Sequence, residues 1–122
     1  KLSTTPLVIL IASLEHATAV RFLGRVNPST RELTWPGTGV TFSFTGTSAS
    51  IGLSVISGSN SAELLVDGVS TIILNVNGTS ISTPSSLPHG HHTVTLRKRS
   101  ETLLGTLTLG NITLSPVSYT HL

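Results

Sequence analysis

The sequence predicts an all-β fold, an antiparallel β-sandwich of the jelly-roll type. Three observations support this prediction. Only 10% of the 122 residues are charged, whereas Thr, Ser, Val, Ile, Leu and Gly dominate. Short stretches alternate apolar and polar side chains, and Gly, Pro and Asn separate these stretches at regular intervals. Beyond residues 1–19, no stretch shows the period of a helix, so a single domain with one two-layer β core fits a chain of this length.

The central predicted strand follows a Pro- and Gly-rich segment, residues 35–39. We call it the tryptophan corner because it carries the only Trp of the chain. Along residues 40–45, Val40, Phe42 and Phe44 point to one face, and the Thr and Ser residues between them point to the other. This alternation predicts a strand that is buried on one face.

The other predicted strands are short and bounded by turn residues. Asp67 and Gly68 mark a tight hairpin, since Gly adopts positive φ without a Cβ clash. Gly105 lies inside a strand pattern and predicts a bulge or a bend. One buried strand face is predicted to carry Ala49, Ile51, Leu53 and Val55. The predicted strands span residues 20–25, 40–45, 49–55, 63–66, 71–74, 92–97, 103–109 and 111–114.

The N-terminal residues have the three parts of a secretory signal peptide. A basic start at Lys1 precedes an apolar run, residues 6–14, and a small-residue exit that ends at Ala19. The apolar run is shorter than the about 20 residues that cross a membrane. We therefore predict a signal peptide over residues 1–19, a mature protein starting at Val20, and no membrane association after processing. A native first strand is the alternative that this pattern leaves open.

Two sequons agree with a secretory route. Asn77 and Asn111 are candidate N-glycosylation sites, whereas Pro28 excludes Asn27. The chain contains no Cys, which excludes disulfides and thiolate chemistry. The sequence thus predicts a secreted, extracellular protein.

The C-terminal residues do not continue the strand pattern. Residues 116–122 show neither alternation nor turn signals, so they are predicted to be a tail of non-native appearance, in which Tyr119 and His121 carry no function. The predicted β-sandwich domain spans residues 20–115.

Composition excludes several kinds of partner. The formal net charge is +2 and aromatic residues make up 4% of the chain, which is too little for a basic surface with stacking aromatics, so no nucleic-acid partner is predicted. The carboxylates Glu63, Asp67 and Glu101 are too dispersed for a calcium site. No cofactor is predicted.

Several segments of the chain form a recognisable set. They are Gly24-Arg25, the tryptophan corner with Val40, residues 42–47, the hairpin at residues 66–68, residues 87–94 and residues 98–101. In order and spacing, these segments resemble the N-terminal domain of family 2 carbohydrate esterases in a fungal-like version. The resemblance covers the chain from about Val20 to Leu114.

The resemblance implies a two-domain secreted enzyme, in which an N-terminal jelly roll packs against a C-terminal SGNH-type hydrolase that removes acetyl groups from cell-wall polysaccharides. The nucleophilic serine of that family lies in a Gly-Asp-Ser block of the second domain. This chain has no such block and no Gly-x-Ser-x-Gly stretch, so no catalytic residue is predicted.

Trp35 has two interpretations. Its indole can stack on a sugar ring and donate a hydrogen bond, which makes it the candidate glycan contact. The favoured interpretation is a buried plug at the end of the sandwich beside Phe22, Phe42 or Phe44.

The remaining clusters are predicted to be structural. His89, His91 and His92 fit a turn and the start of a strand better than a metal site, because no further ligands lie in the same turn. Residues 97–99 carry three basic side chains that alternate between faces. They are predicted to protect an exposed strand edge.

The sequence therefore predicts a non-catalytic N-terminal domain that supports or shapes the substrate site of a separate hydrolase domain. The main alternative is a free-standing secreted module that binds glycans or self-associates. An esterase activity of this chain alone is a third hypothesis.

Overall fold

The computed structural model describes residues 20–27, 29–84, 86–101 and 104–114. Within these ranges it contains nine β-strands and no helix, and hence no helix long and apolar enough to cross a membrane. The predicted signal peptide and the predicted tail lie outside the described residues. The strands are β1 (Arg21–Leu23), β2 (Glu32–Leu33), β3 (Gly39–Gly46), β4 (Ala49–Gly58), β5 (Ala62–Val66), β6 (Val69–Ile73), β7 (Ser80–Ser82), β8 (Gly90–Lys98) and β9 (Gly105–Leu114).

The strands form two antiparallel sheets, as the prediction of an all-β sandwich requires. One sheet has the order β1-β3-β8-β5-β6 and the other the order β2-β9-β4-β7. Their inner faces share one hydrophobic core. Val40, Phe42 and Phe44 are all buried in it, which confirms the predicted face of β3. The tight hairpin is also confirmed, because Asp67 and Gly68 both have positive φ and connect β5 to β6.

One predicted face breaks in the middle of β4. Ala49, Ile51 and Leu53 are buried, but Val55 is 54% exposed. The register between β4 and β9 shifts on both sides of Leu53, and such bulges turn the side chains that follow to the opposite face. Ile56 packs against the core instead.

Gly105 is not the position of that bulge. It begins β9 opposite Gly58, where a Cβ would overlap the carbonyl oxygen of Ser57. Gly105 is thus explained by the close approach of two backbones, which leaves no room for a side chain at this position.

The interpretation of residues 97–99 as a protected edge is wrong. β8 lies inside its sheet, between β3 and β5. The predicted alternation holds, since Arg97 and Arg99 are exposed while Lys98 points inward and is only 1% exposed. Composition alone did not reveal that two strands flank this basic segment.

The close contact of β3 with β8 at Gly39 provides a test of the fold. A Cβ at this position would overlap the carbonyl oxygen of Leu96. We expect Gly39→Ala to lower the free energy of unfolding by about 1–3 kcal/mol, because the strands must separate. The measurement is urea denaturation followed by circular dichroism.

Gly90→Ala is the matched control. Gly90 begins β8, and a Cβ there meets nothing within 4 Å. We expect no loss of stability for this variant. An equal loss in both variants would contradict the packing argument.

Candidate functional site

The tryptophan corner is a rigid turn. The carbonyl oxygen of Trp35 accepts hydrogen bonds from the backbone N–H and the hydroxyl of Thr38, at 3.1 and 2.6 Å. Gly37 has a φ of 87°, a conformation that suits glycine. Its N–H donates to the carbonyl oxygen of Lys98, and the Lys98 N–H donates to that of Thr38, both at 2.8 Å. The corner thus extends the pairing of β3 with β8.

The side chain of Trp35 lies on the surface and is 55% exposed. The prediction of a buried plug is therefore wrong. Thr38, Val40 and Lys98 are the residues buried beside the corner.

A surface pocket of ≈ 390 Å³ lies beside the indole. This volume is at the lower end of the range for small-molecule sites. The indole offers an apolar face and one N–H donor, and the Arg25 guanidinium offers several more donors. Such a surface suits a polyhydroxylated ring. The pocket is lined by Gly24, Arg25, Trp35, Pro36, Gly37 and Thr38.

Lys98 closes the core beneath the corner. Its ammonium donates to the carbonyl oxygens of Ser100 and Glu101, at 2.5 and 3.2 Å. Burial lowers the pKa of Lys98, and the nearby charge of Glu101 opposes that effect. Through Lys98, residues 98–101 meet the tryptophan corner and the Gly24-Arg25 segment at one end of the sandwich.

A second polar cluster joins the hairpin turn to β8. His92 Nδ1 lies 2.6 Å from Asp67 Oδ2, and His92 Nε2 lies 2.7 Å from the carbonyl oxygen of Pro88. Asp67 Oδ1 accepts a further bond from the Thr93 N–H at 2.9 Å. The His92 ring packs against Phe44, with 5.4 Å between ring centroids.

Both nitrogens of His92 face acceptor oxygens, which favours the doubly protonated ring. The hydrogen bond to Asp67 is the largest cause of a raised pKa of His92, and the bond to Pro88 adds to it, whereas burial acts against both. The same pair lowers the pKa of Asp67, with help from the Thr93 N–H.

Asp67 and His92 resemble the orienting and base residues of a catalytic triad, but their geometry is different. A base needs one ring nitrogen directed at a nucleophile. In this structure Pro88 takes that position. The pair therefore anchors the hairpin and the loop before β8.

Sequence reasoning missed the Asp67–His92 pair, because the turn already explained Asp67 and the His cluster was considered only along the chain. His89 and His91 are exposed. Among the described residues no three His, Asp or Glu side chains form a group that could hold a metal ion.

The two sequons occupy different settings. Asn77 is exposed in a turn between β6 and β7, whereas Asn111 is exposed on the outer face of β9.

Comparisons with known proteins agree with this fold. The family model described as Carbohydrate esterase 2 N-terminal matches residues 22–118. The chain belongs to this family. No curated protein sequence matches it.

Solved structures extend the comparison. The chain is 55% identical to a carbohydrate esterase family 2 enzyme plus carbohydrate binding domain from Corynascus thermopiles (Myceliophthora fergusii), and the TM-score is 0.75. The match covers 81% of this chain and 32% of that one. The chain is 27% identical to a family two carbohydrate esterase from Clostridium thermocellum in complex with cellohexaose, and the TM-score is 0.65. That match covers 79% of this chain and 31% of the other. A family two carbohydrate esterase from Cellvibrio japonicus shares the fold at 22% identity and a TM-score of 0.61, with coverage of 81% and 32%. The chain spans about a third of the length of these relatives.

The Asp67–His92 pair should make stability depend on pH. A raised pKa of His92 contributes stability that is complete below its ordinary value of 6.5 and is lost as the pH rises through the raised value. A lowered pKa of Asp67 contributes stability that is complete above 3.8 and is lost as the pH falls through the lowered value. We expect Asp67→Asn to lower the free energy of unfolding by about 1 kcal/mol at pH 5–6, a small loss because the carboxylate is partly exposed. The variant should also weaken both the alkaline and the acidic dependence of stability on pH.

Asn also suits the positive φ of this turn, so the substitution tests the charge and not the backbone. Urea denaturation between pH 3 and pH 9 is the measurement. His89→Gln is the control, because His89 is exposed in the same loop. Identical pH profiles for Asp67→Asn and the unmodified chain would contradict the assignment.

Proposed function

We propose that this chain is the non-catalytic N-terminal domain of a secreted carbohydrate acetyl esterase, and that it supports and shapes the substrate site of a hydrolase domain outside this sequence. The observation that carries the proposal is the exposed indole of Trp35 in a preformed pocket. Family membership and the coverage of only a third of each relative support the presence of a second domain.

In this proposal Trp35 contacts the polysaccharide. The indole face stacks on a sugar ring, and the Arg25 guanidinium donates to its hydroxyl or acetyl oxygens. The turn bonds of Thr38 and the bond from Gly37 to Lys98 hold the corner before a ligand arrives. Little conformational entropy is then lost on binding.

The non-catalytic role rests on the chemistry that acetyl hydrolysis needs. A serine nucleophile requires a base with one free nitrogen and an oriented ring. Among the histidines that the structure describes, His92 uses both nitrogens within the fold, and His89 and His91 are exposed. We therefore assign the hydrolysis to the absent domain.

Secretion is part of the same proposal. It is supported by the pattern of a basic start, an apolar run and a small-residue exit in residues 1–19. The exposed sequon at Asn77 agrees with it.

A second candidate is a free-standing glycan-binding or self-associating module. The same exposed indole favours it, because no part of the described chain covers Trp35. Affinity electrophoresis of the chain alone in gels that contain acetylated xylan tests this second candidate, because a free-standing module must bind the polysaccharide without a second domain. Retardation that Trp35→Ala abolishes would support the module.

A chimeric enzyme tests the first proposal. Residues 22–118 replace the N-terminal domain of the Corynascus relative, and kinetics are measured on acetylated xylan and on an aryl acetate. We expect Trp35→Ala to raise KM for the polysaccharide about tenfold, equivalent to about 1.4 kcal/mol, because sugar stacking is lost. The kcat/KM for the small aryl acetate should stay unchanged.

Val55→Ala is the control, since Val55 is as exposed as Trp35 but lies in β4, outside the pocket. This variant should behave like the unmodified chimera on both substrates. An equal loss on both substrates with Trp35→Ala would contradict a glycan contact and indicate a domain contact. Acetate release by the chain alone would contradict the non-catalytic role.

A further inference from the structure

One edge of the sandwich differs from the other three. The edge strands β1, β2 and β7 contain only three, two and three residues. β6 has five residues, carries no charge, and has four exposed positions. Uncharged edges that are not shortened, bulged or covered are sites where a second chain pairs, and natural proteins usually protect them. No such protection of β6 exists within the described part of the chain.

The inner side of β6 is also open. Val69, Thr71 and Ile73 pair with the inward-facing residues of β5 and therefore share their face. The opposite sheet ends in the short strand β7, so Val69 and Thr71 are exposed, whereas Ile73 is half-buried and packs against the core. Val69 remains 69% exposed, and Leu74, just after the strand, is 79% exposed.

A groove of ≈ 260 Å³ lies on this open side. It joins β6 to β7, and its base includes the apolar residues Leu64, Val76 and Ile81. Asn77 lines the same groove as Thr71 and Ile73. This sequon residue therefore lies next to the uncovered part of the sheet.

The Asn77 turn is well placed for modification. Asn77, Gly78 and Thr79 are all exposed, and a Cβ at Gly78 would meet nothing within 4 Å. The turn is anchored on both sides. The Val76 N–H donates to the carbonyl oxygen of Asn60, and the Leu53 N–H donates to that of Thr79, both at 2.8 Å.

We propose that an N-linked oligosaccharide on Asn77 covers the open side of the sandwich and prevents β6 from pairing with a second copy of the chain. A glycan is bulky and solubilising. Held by an anchored turn beside the groove, it occupies the space that a partner strand would need. The proposal depends on secretion but not on the role of Trp35.

The modification transfers an oligosaccharide from a lipid diphosphate donor in the secretory pathway. Asn77 Nδ2 forms a bond to the anomeric carbon of the sugar. The bond from that carbon to the diphosphate oxygen breaks, and the lipid diphosphate leaves while the amide loses one proton.

The test uses the full 122-residue chain directed into the secretory pathway of a filamentous fungus. Peptide mass spectrometry determines the occupancy of Asn77, and light scattering after size exclusion determines the molar mass. We expect the unmodified chain to be glycosylated at Asn77 and monomeric. Asn77→Gln and Thr79→Ala should both lose that glycan and show a molar mass about twice that of the monomer, or larger.

Asn111→Gln is the matched control. It removes a sequon on the outer face of β9, away from the groove, and should leave the chain monomeric. Trimming the folded glycoprotein with an endoglycosidase should cause the same association as Asn77→Gln, which separates shielding from a folding defect. Adding Val69→Lys and Leu74→Lys to Asn77→Gln should restore the monomer, because edge lysines oppose strand pairing.

Three results would overturn the proposal. The first is a secreted chain without sugar on Asn77. The second is a chain that stays monomeric after the Asn77 glycan is lost by either route. The third is a glycosylated chain that already dimerises through β6.

Discussion

The antiparallel pairing of β3 with β8 is the contact on which two features depend, namely the tryptophan corner and the Asp67–His92 pair. Eight residue pairs join the two strands, from Gly39 opposite Arg97 to Gly46 opposite Gly90. At one end the ladder continues through Gly37 and Lys98 into the tryptophan corner. Near the other end it places His92 beside Phe44 and within reach of Asp67. At one limit of the pair, Gly39 allows the backbone of β3 to approach that of Leu96 in β8.

Each end of this ladder holds a buried basic side chain, and the two are stabilised differently. Lys98 donates to two backbone carbonyls, so its charge is solvated by dipoles and burial lowers its pKa. His92 has a carboxylate partner, and its pKa is raised. Burying a charge is costly unless it is hydrogen-bonded. The loops that supply the acceptors of Lys98 and His92 must therefore hold positions in which these hydrogen bonds can form. The rigid corner that presents Trp35 follows from one of these arrangements.

Local pattern predicted the parts of the fold in which neighbours along the chain decide the outcome. The alternation of Val40, Phe42 and Phe44 was sufficient to predict the buried face of β3, because a strand places alternate residues on opposite faces. The residues Asp67 and Gly68 were sufficient to predict the hairpin turn, because positive φ restricts the residues that fit. The same reasoning failed at Val55, where a register shift against β9 reversed the faces. It also failed for the basic segment of residues 97–99, because Arg97 and Lys98 end the inner strand β8.

The sequence by itself determined the fold class, the strand faces before the bulge, the hairpin and the family resemblance, because these depend on periodicity, turn chemistry and motif order. Only the tertiary structure decided that Trp35 is exposed, that Asp67 binds His92, and that Asn77 lies beside an open sheet edge. Each of these three features depends on contacts between segments that are distant in the chain. At the end of the core Thr38, Val40 and Lys98 are buried, whereas the indole of Trp35 lies on the surface.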